Sequence, residues 1–153
     1  MKNINITKLE DNKNAPYDLL NLADPSIDKI NEYLYNGDCY VAYINNEIVG
    51  AYILISIKQN TNEIVNISVK ESFQNMGIGK KLIKSAIKIS KESGAKILEV
   101  GTGNSSISQL AFYQKCGFRI VDIYKDFFRI NYSEKIIENG IECMDMIRLS
   151  LNL

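Results

Sequence analysis

Residues 63–82 read EIVNISVKESFQNMGIGKKL, and no other stretch of the chain restricts the fold so tightly. Glu63 to Val69 is rich in β-branched residues and has the pattern of a strand. A polar link carrying Gly77 and Gly79 follows. From Ile78 onward apolar residues recur at Leu82, Ala86 and Ile89, flanked by Ile83 and Ile87, while Lys80, Lys84, Lys88 and Lys91 take the other side. This spacing predicts an amphipathic helix of about four turns ending near Gly94. Glycines at such a strand-to-helix junction present backbone N–H groups with no Cβ in the way. The first-turn amides of the helix lack intrahelical acceptors and sit at its positive end, so the junction suits an anion.

Three phosphate-binding patterns compete for the stretch. A G-x-x-x-x-G-K-[ST] loop ending at Gly79 would need glycine at Gln74 and Ser or Thr at Lys81, so it fails twice. A G-x-G-x-x-G fingerprint would need glycine at Leu82 and fails once. Q-x-x-G-x-G remains, as Gln74, Gly77 and Gly79, with Asn75, Met76, Ile78 and Lys80 contributing the other amides of an arc that suits a pyrophosphate. The bland alternative is an ordinary loop before an amphipathic helix.

The rest of the chain supplies the frame. Spaced apolar residues from Ala15 to Leu34, interrupted by DPS, suggest two short helices, the second capped by Ser26. CYVAYI, the turn NNE and IVGAYILISI read as a hairpin. AKILEV is a buried-type strand, GTGNSS a polar link, and Ile107 to Cys116 a helix with Gly117 as its left-handed cap. FRIVDIY and ECMDMIRLSL alternate like closing antiparallel strands, and the aromatic-rich segment between them reads as an irregular loop. With no repeat or break in composition, residues 1–153 read as one domain of the α/β (α+β) class, a mixed sheet with helices on both faces.

Composition removes several functions. Eighteen basic residues balance eighteen acidic ones, which gives no support to a nucleic-acid surface. The chain has no histidine, so serine–histidine triads and histidine metal sites are excluded, and no metal is expected. Cys39, Cys116 and Cys143 are widely spaced and odd in number, which fits reduced thiols better than disulfides or zinc. No apolar leader or run of about 20 apolar residues is visible, so the expectation is a cytoplasmic protein with no membrane partner.

Two motifs at a suitable distance, NISVKESFQNMGIGKKLI and LAFYQKCGF, resemble the GNAT acyltransferases, whose signature is [QR]-x-x-G-x-[GA]. The likeness runs from about Tyr40 to the C-terminus and, within the family, is most similar to the ribosomal-protein alanine and small-amine branch. It implies a mixed, mostly antiparallel sheet, acetyl-coenzyme A as cosubstrate and an amine acceptor, either a small molecule or a protein N-terminus. The aromatic C-terminal segment, with Tyr124, Phe127, Phe128 and Tyr132, reads as an aromatic cleft, a homodimer contact or core packing. The likeness implies that the backbone of Ile67, Ser68 and Val69 docks the pantetheine arm and acetyl group. Lys80 and Lys81 are placed to assist the phosphates, and the rest of the lysine stripe reads as a solvated basic face. The likeness further implies that Tyr113 stands near the thioester sulfur, as general acid or as a hydrogen-bond donor without proton transfer; taken alone, Tyr113 reads as a core aromatic. Relatives carry an asparagine seven residues before the tyrosine. Here Ser106 holds that position and Asn104 lies two residues earlier, so either is the candidate cofactor contact.

An alkylammonium must lose a proton before it attacks a thioester. Glu99 interrupts the apolar run KILEV, and a carboxylate on an interior strand needs a cleft or a partner. It is therefore the first candidate base, with a structural ion pair to a lysine as the competing reading. Glu63, at the start of the preceding strand, is the second, and a water relay the third. Cys116 reads as packing rather than a nucleophile. The competing function is a noncatalytic acyl-coenzyme A sensor on the same fold.

Overall fold

The structure is a computed structural model, and it describes residues 3–153. Strand β1 (Asn5–Lys8) pairs with β2 (Asp38–Ile44) across an intervening pair of short helices, α1 (Tyr17–Leu20) and α2 (Ile27–Asn36). Ser26 caps α2, its hydroxyl accepting from the amide of Lys29 at 3.2 Å. Leu19, Leu20, Ile30 and Leu34 bury one side of these helices against Cys39, Val41, Ala51 and Ile53. β2 turns into β3 (Glu47–Lys58) through Asn45 and Asn46, at φ 49° and 67°. Both are left-handed, the combination that matches the twist of a two-residue hairpin.

β4 (Thr61–Val69) leads to α3 (Ile78–Glu92), then β5 (Ile97–Gly103), α4 (Ile107–Lys115) and β6 (Arg119–Tyr124). α5 (Phe127–Asn131), β7 (Ile136–Glu138), β8 (Ile141–Cys143) and β9 (Met146–Asn152) complete the chain. The main sheet runs β1-β2-β3-β4-β5-β9-β6, and only β4–β5 is parallel. Ile78, Leu82, Ile83 and Ala86 of α3 pack with Tyr113 of α4 on Val49, Tyr52, Ile64, Leu98, Val100 and Leu149. That core lies on the face opposite α1 and α2, so helices cover both faces as the periodicity predicts.

One irregularity positions everything that follows. Leu54 faces Ile64 across the β3–β4 ladder and Ile53 faces Asn66, which leaves Val65 as an extra residue, a β-bulge in β4. The parallel pairing of β4 with β5 ends at the same point, its last pair being Ile64 with Val100. Bulges add twist and bend the strand that carries them. Beyond Val65 the two strands diverge, and β4 from Val65 to Val69 keeps β3 on one edge with no strand on the other among the described residues.

Several expectations are corrected. β4 begins at Thr61, so Glu63 lies inside the strand rather than at its start. β5 continues through Gly103, which shortens the polar link to residues 104–106. The irregular C-terminal loop is instead α5 followed by the β7–β8 hairpin, turned on Asn139 and Gly140 at φ 57° and 73°. The strand foreseen over ECMDMIRLSL is two, broken at Met144 and Asp145. β1 was not foreseen at all.

Candidate active site

The glycine stretch folds as an anion cradle. Gly77 at φ 81° and Asn75 at φ 63° are both left-handed, and Gly77 caps α3. Gln74 fixes the loop to the strand before it, its side-chain amide donating to the Val69 carbonyl at 3.1 Å. The first amide of the region with an intrahelical partner is that of Lys81, which donates to the Gly77 carbonyl at 3.2 Å. The preceding backbone amides, from Asn75 through Lys80, donate to no acceptor among the described residues. A Cβ on Gly77 would meet nothing within 4 Å, whereas one on Gly79 would stand 3.2 Å from Cζ of Phe112. Gly77 is thus required by its backbone angle, and Gly79 by the close approach of α4. Ile67, Ser68 and Val69 lie on the adjacent open stretch of β4, so cradle and open edge are continuous. Met76 is half exposed.

Tyr113 is buried on α4 between Phe112 and Phe118, with ring centroids at 5.5 and 6.0 Å. Burial pushes its phenol well above the ordinary tyrosine value, so the hydroxyl keeps its proton at neutral pH. That hydroxyl has no hydrogen-bond partner among the described residues. Burial also pushes the Cys116 thiol up, with Lys80 drawing it partly back, the opposite of what an activated nucleophile needs.

Glu63 and Glu99 are direct neighbours in the β4–β5 ladder, and both are held by a residue the sequence reading overlooked. Arg148 of β9 donates from Nη1 to Glu63 Oε2 and from Nη2 to Glu99 Oε1, each at 2.9 Å. The ion pair weighed for Glu99 therefore exists, with an arginine in place of a lysine. Arg148 is opposite Gly101 in register, and a Cβ there would stand 2.8 Å from Nη1. Glycine is what lets the guanidinium cross β5. Burial works against the Arg148 charge, but the two glutamates more than offset it and hold the group above its ordinary value. The ring of Tyr124 covers the guanidinium at 5.4 Å. On the α2 side, burial, with Asp24 and Glu63 nearby, raises the Tyr33 phenol to about 12. The hydroxyl of Tyr132, the residue that follows α5, donates to the Asp24 carboxylate, 3.0 Å from each oxygen, tying the C-terminal segment to the α1–α2 wall.

Asn104 and Ser106 are arranged differently from the expectation. The Asn104 amide nitrogen donates to the Glu142 carbonyl at 3.1 Å, and its oxygen accepts from the amides of Met144 and Asp145 at 2.9 and 3.0 Å. Ser106 donates to Glu138 Oε1 at 2.6 Å. Both side chains pin the β7–β8 hairpin rather than offering themselves to the cleft. Asn104→Ala should cost about 1–3 kcal/mol, a fall of several degrees in Tm, while affinity for a coenzyme A ligand stays within about twofold. An unchanged Tm with a large loss of affinity would restore Asn104 to the cofactor contacts. A separate concavity of about 260 Å³, lined by Asp38, Tyr40, Asn62 and Ser93 among others, lies at the far end of α3 and shares no residue with this site. Among the described residues no group of His, Cys, Asp or Glu is placed to hold a metal ion, and no helix is long and apolar enough to cross a membrane.

Comparison with known proteins agrees with this geometry. The uncharacterized N-acetyltransferase YvbK of Bacillus subtilis is 52% identical over 153 residues, covering 100% of this chain and 99% of that protein. A GNAT family acetyltransferase from Elizabethkingia anophelis, solved with acetyl-CoA bound, is 52% identical with a TM-score of 0.97, covering 100% of both chains. An IAA acetyltransferase from Bacillus cereus is 49% identical with a TM-score of 0.95, covering 99% of this chain and 100% of that one. The ribosomal-protein-S18-alanine N-acetyltransferase of Escherichia coli shares the fold, with a TM-score of 0.78 over 98% of this chain and 94% of its own, at 18% identity. The sequence model of the acetyltransferase (GNAT) family matches residues 8–118, so the likeness starts well before Tyr40, at the last residue of β1, and takes in α1 and α2. With that match over most of its length, the chain belongs to the acetyltransferase (GNAT) family.

Proposed function

We propose that this chain transfers the acetyl group of acetyl-coenzyme A to a primary amine by direct attack within a ternary complex. The observation that carries the reading is the run of unpartnered amides from Asn75 to Lys80, continuous with the open edge of β4. Such an arc matches a pyrophosphate, and an unpaired strand edge matches the amide-bearing pantetheine arm. The relative solved with acetyl-CoA bound supports the same cosubstrate.

In this reading the amides of Asn75, Met76, Gly77, Ile78, Gly79 and Lys80 hold the phosphates, with Gln74 fixing the loop. The backbone of Ile67, Ser68 and Val69 docks the arm and polarises the acetyl carbonyl. Glu99, or Glu63 beside it, accepts a proton from the acceptor ammonium. The freed amine attacks the carbonyl carbon, the C–N bond forms and the C–S bond breaks. Tyr113 gives its proton to the departing thiolate and regains one, by way of solvent, from the surplus proton on nitrogen. The carboxyl group releases its proton to solvent, so one proton is released per turnover. Glu63, Glu99 and Asp24 outnumber Arg148, and this acidic surround favours a cationic acceptor. The free thiols Cys39, Cys116 and Cys143 suit a reducing cytoplasm. The homodimer contact, weighed above for the aromatic segment, is proposed instead for the adjoining β6, an edge strand whose Ile120, Val121 and Ile123 lie exposed. Residues 1–153 act as one domain.

The test is thiol release from acetyl-coenzyme A across a panel of small amines, N-terminal peptides and IAA, the compound for which the Bacillus cereus relative is named. Turnover of at least one acceptor is expected, and Cys116→Ala should retain it. Tight binding with no turnover would favour the sensor reading. A trapped acetyl-cysteine, lost with Cys116→Ala, would overturn direct transfer.

A further inference from the structure

We propose that Arg148 is a positioning residue that joins Glu63 and Glu99 into a single proton-accepting unit. The inference rests on the reading that one of these carboxylates deprotonates the acceptor amine.

Arg148 sits on the third strand of a row, β4-β5-β9, and its guanidinium spans the other two. The span exists because Gly101, opposite Arg148, has no side chain to obstruct it. The arginine side chain is 6% exposed and those of Glu63 and Glu99 are 16% and 18% exposed, so the cation is enclosed while both carboxylates keep an accessible side. Each glutamate gives one oxygen to the fork, Glu63 Oε2 and Glu99 Oε1. The other oxygens, Glu63 Oε1 and Glu99 Oε2, take part in no hydrogen bond among the described residues. One half of each carboxylate is anchored and the other half is free.

A purely structural arginine would be expected to satisfy all its donors. Arg148 Nε is instead buried with no acceptor, an uncommon and costly arrangement. Both Nη atoms donate to the glutamates, Nη1 also reaching Met146 Sδ at 3.5 Å, and the ring of Tyr124 covers the guanidinium. The group is placed for the carboxylates at the expense of its own hydrogen bonding. Two adjacent carboxylates would otherwise repel and swing apart; the planar fork fixes both at once, which a lysine cannot do. In the step served by this arrangement an ammonium N–H bond breaks, its proton moves to the free oxygen of Glu99 or Glu63, and the electron pair stays on nitrogen for attack. Nothing is oxidised or reduced.

The test uses the whole chain with acetyl-coenzyme A and an acceptor identified by thiol release. Arg148→Gln and Arg148→Lys should each lower kcat by about 10- to 100-fold, the scale expected for a misplaced catalytic group. Affinity for acetyl-coenzyme A should stay within about twofold. In an E99Q background the further loss on adding Arg148→Gln should shrink below about threefold, because groups acting as a unit are not additive. Gly101→Ala is the second route, keeping Arg148 but displacing it, and it should reproduce the kcat loss if the Arg148 variants do not fold. Folded Arg148 variants with parental kcat beside a crippled E99Q would overturn the proposal alone. So would losses that multiply in the double variant or appear as weaker coenzyme binding. Full activity in both E63Q and E99Q would instead remove the base assignment, and this proposal with it.

Discussion

Gly77→Glu is expected to abolish binding of acetyl-coenzyme A while the protein remains folded. Two effects combine at this position. The backbone stands at φ 81°, where a residue with a Cβ is disfavoured by roughly 1–2 kcal/mol. The new side chain would enter open space, since nothing lies within 4 Å of the Cβ site. It would therefore cost little in packing, yet it would bring a carboxylate to the amides that face the pyrophosphate. Like charges about 4 Å apart in a partly screened site oppose each other by about 4 kcal/mol, close to a thousandfold in affinity. Calorimetry with acetyl-coenzyme A measures it, and circular dichroism checks the fold. Gly77→Asn, a residue that tolerates the left-handed region, should bind much closer to the parent. Unchanged affinity in the glutamate variant would defeat the assignment of the cradle.

Glu99→Gln should lower kcat by about 10²- to 10⁴-fold, the usual range for removing a general base, with little change in coenzyme affinity. Glutamine keeps the shape and still accepts from Arg148 through its carbonyl oxygen, so the loss isolates proton transfer from packing. Glu63→Gln should cost less, because Glu99, the first candidate base, remains. Activity of E99Q within a few-fold of the parent, with E63Q crippled, would move the role to Glu63.

Where the sequence carried strong local physics, the architecture was legible. The α3 stripe, the Asn45-Asn46 turn and the Gly117 cap each follow from a period or a backbone angle that few residues satisfy. β1 was invisible because four residues on a sheet edge, exposed or half-buried, show no alternation. α5, β7 and β8 are three to five residues long, too short for periodicity to emerge. The Asn139-Gly140 pair did signal a tight hairpin and was lost within an apparently irregular stretch. The bulge at Val65 left no mark, since it depends on register with β3 rather than on residue type.

Arg148 was missed for a different reason. It breaks the apolar run MIRLSL just as Glu99 breaks KILEV, so the argument that singled out one applied equally to the other. A charge on an interior strand requires a partner, and two such charges on strands of one sheet are candidates for each other. Asn104 shows the opposite case: the residue type suited a ligand contact, but its distance from the tyrosine gave no hint that the C-terminal segment would return to hydrogen-bond its amide.

Gly101 and Arg148 also carry a consequence for descent. A Cβ at position 101 would stand 2.7 Å from Met146 Sδ and 2.8 Å from Arg148 Nη1, so any side chain there makes both shift and displaces the guanidinium from its path over β5. A change at position 101 therefore bears on the placement of Arg148, with Met146 as a third party to the crowding. Among homologues the pair should be inherited or lost together, a linked signature written 47 residues apart and readable from alignments alone.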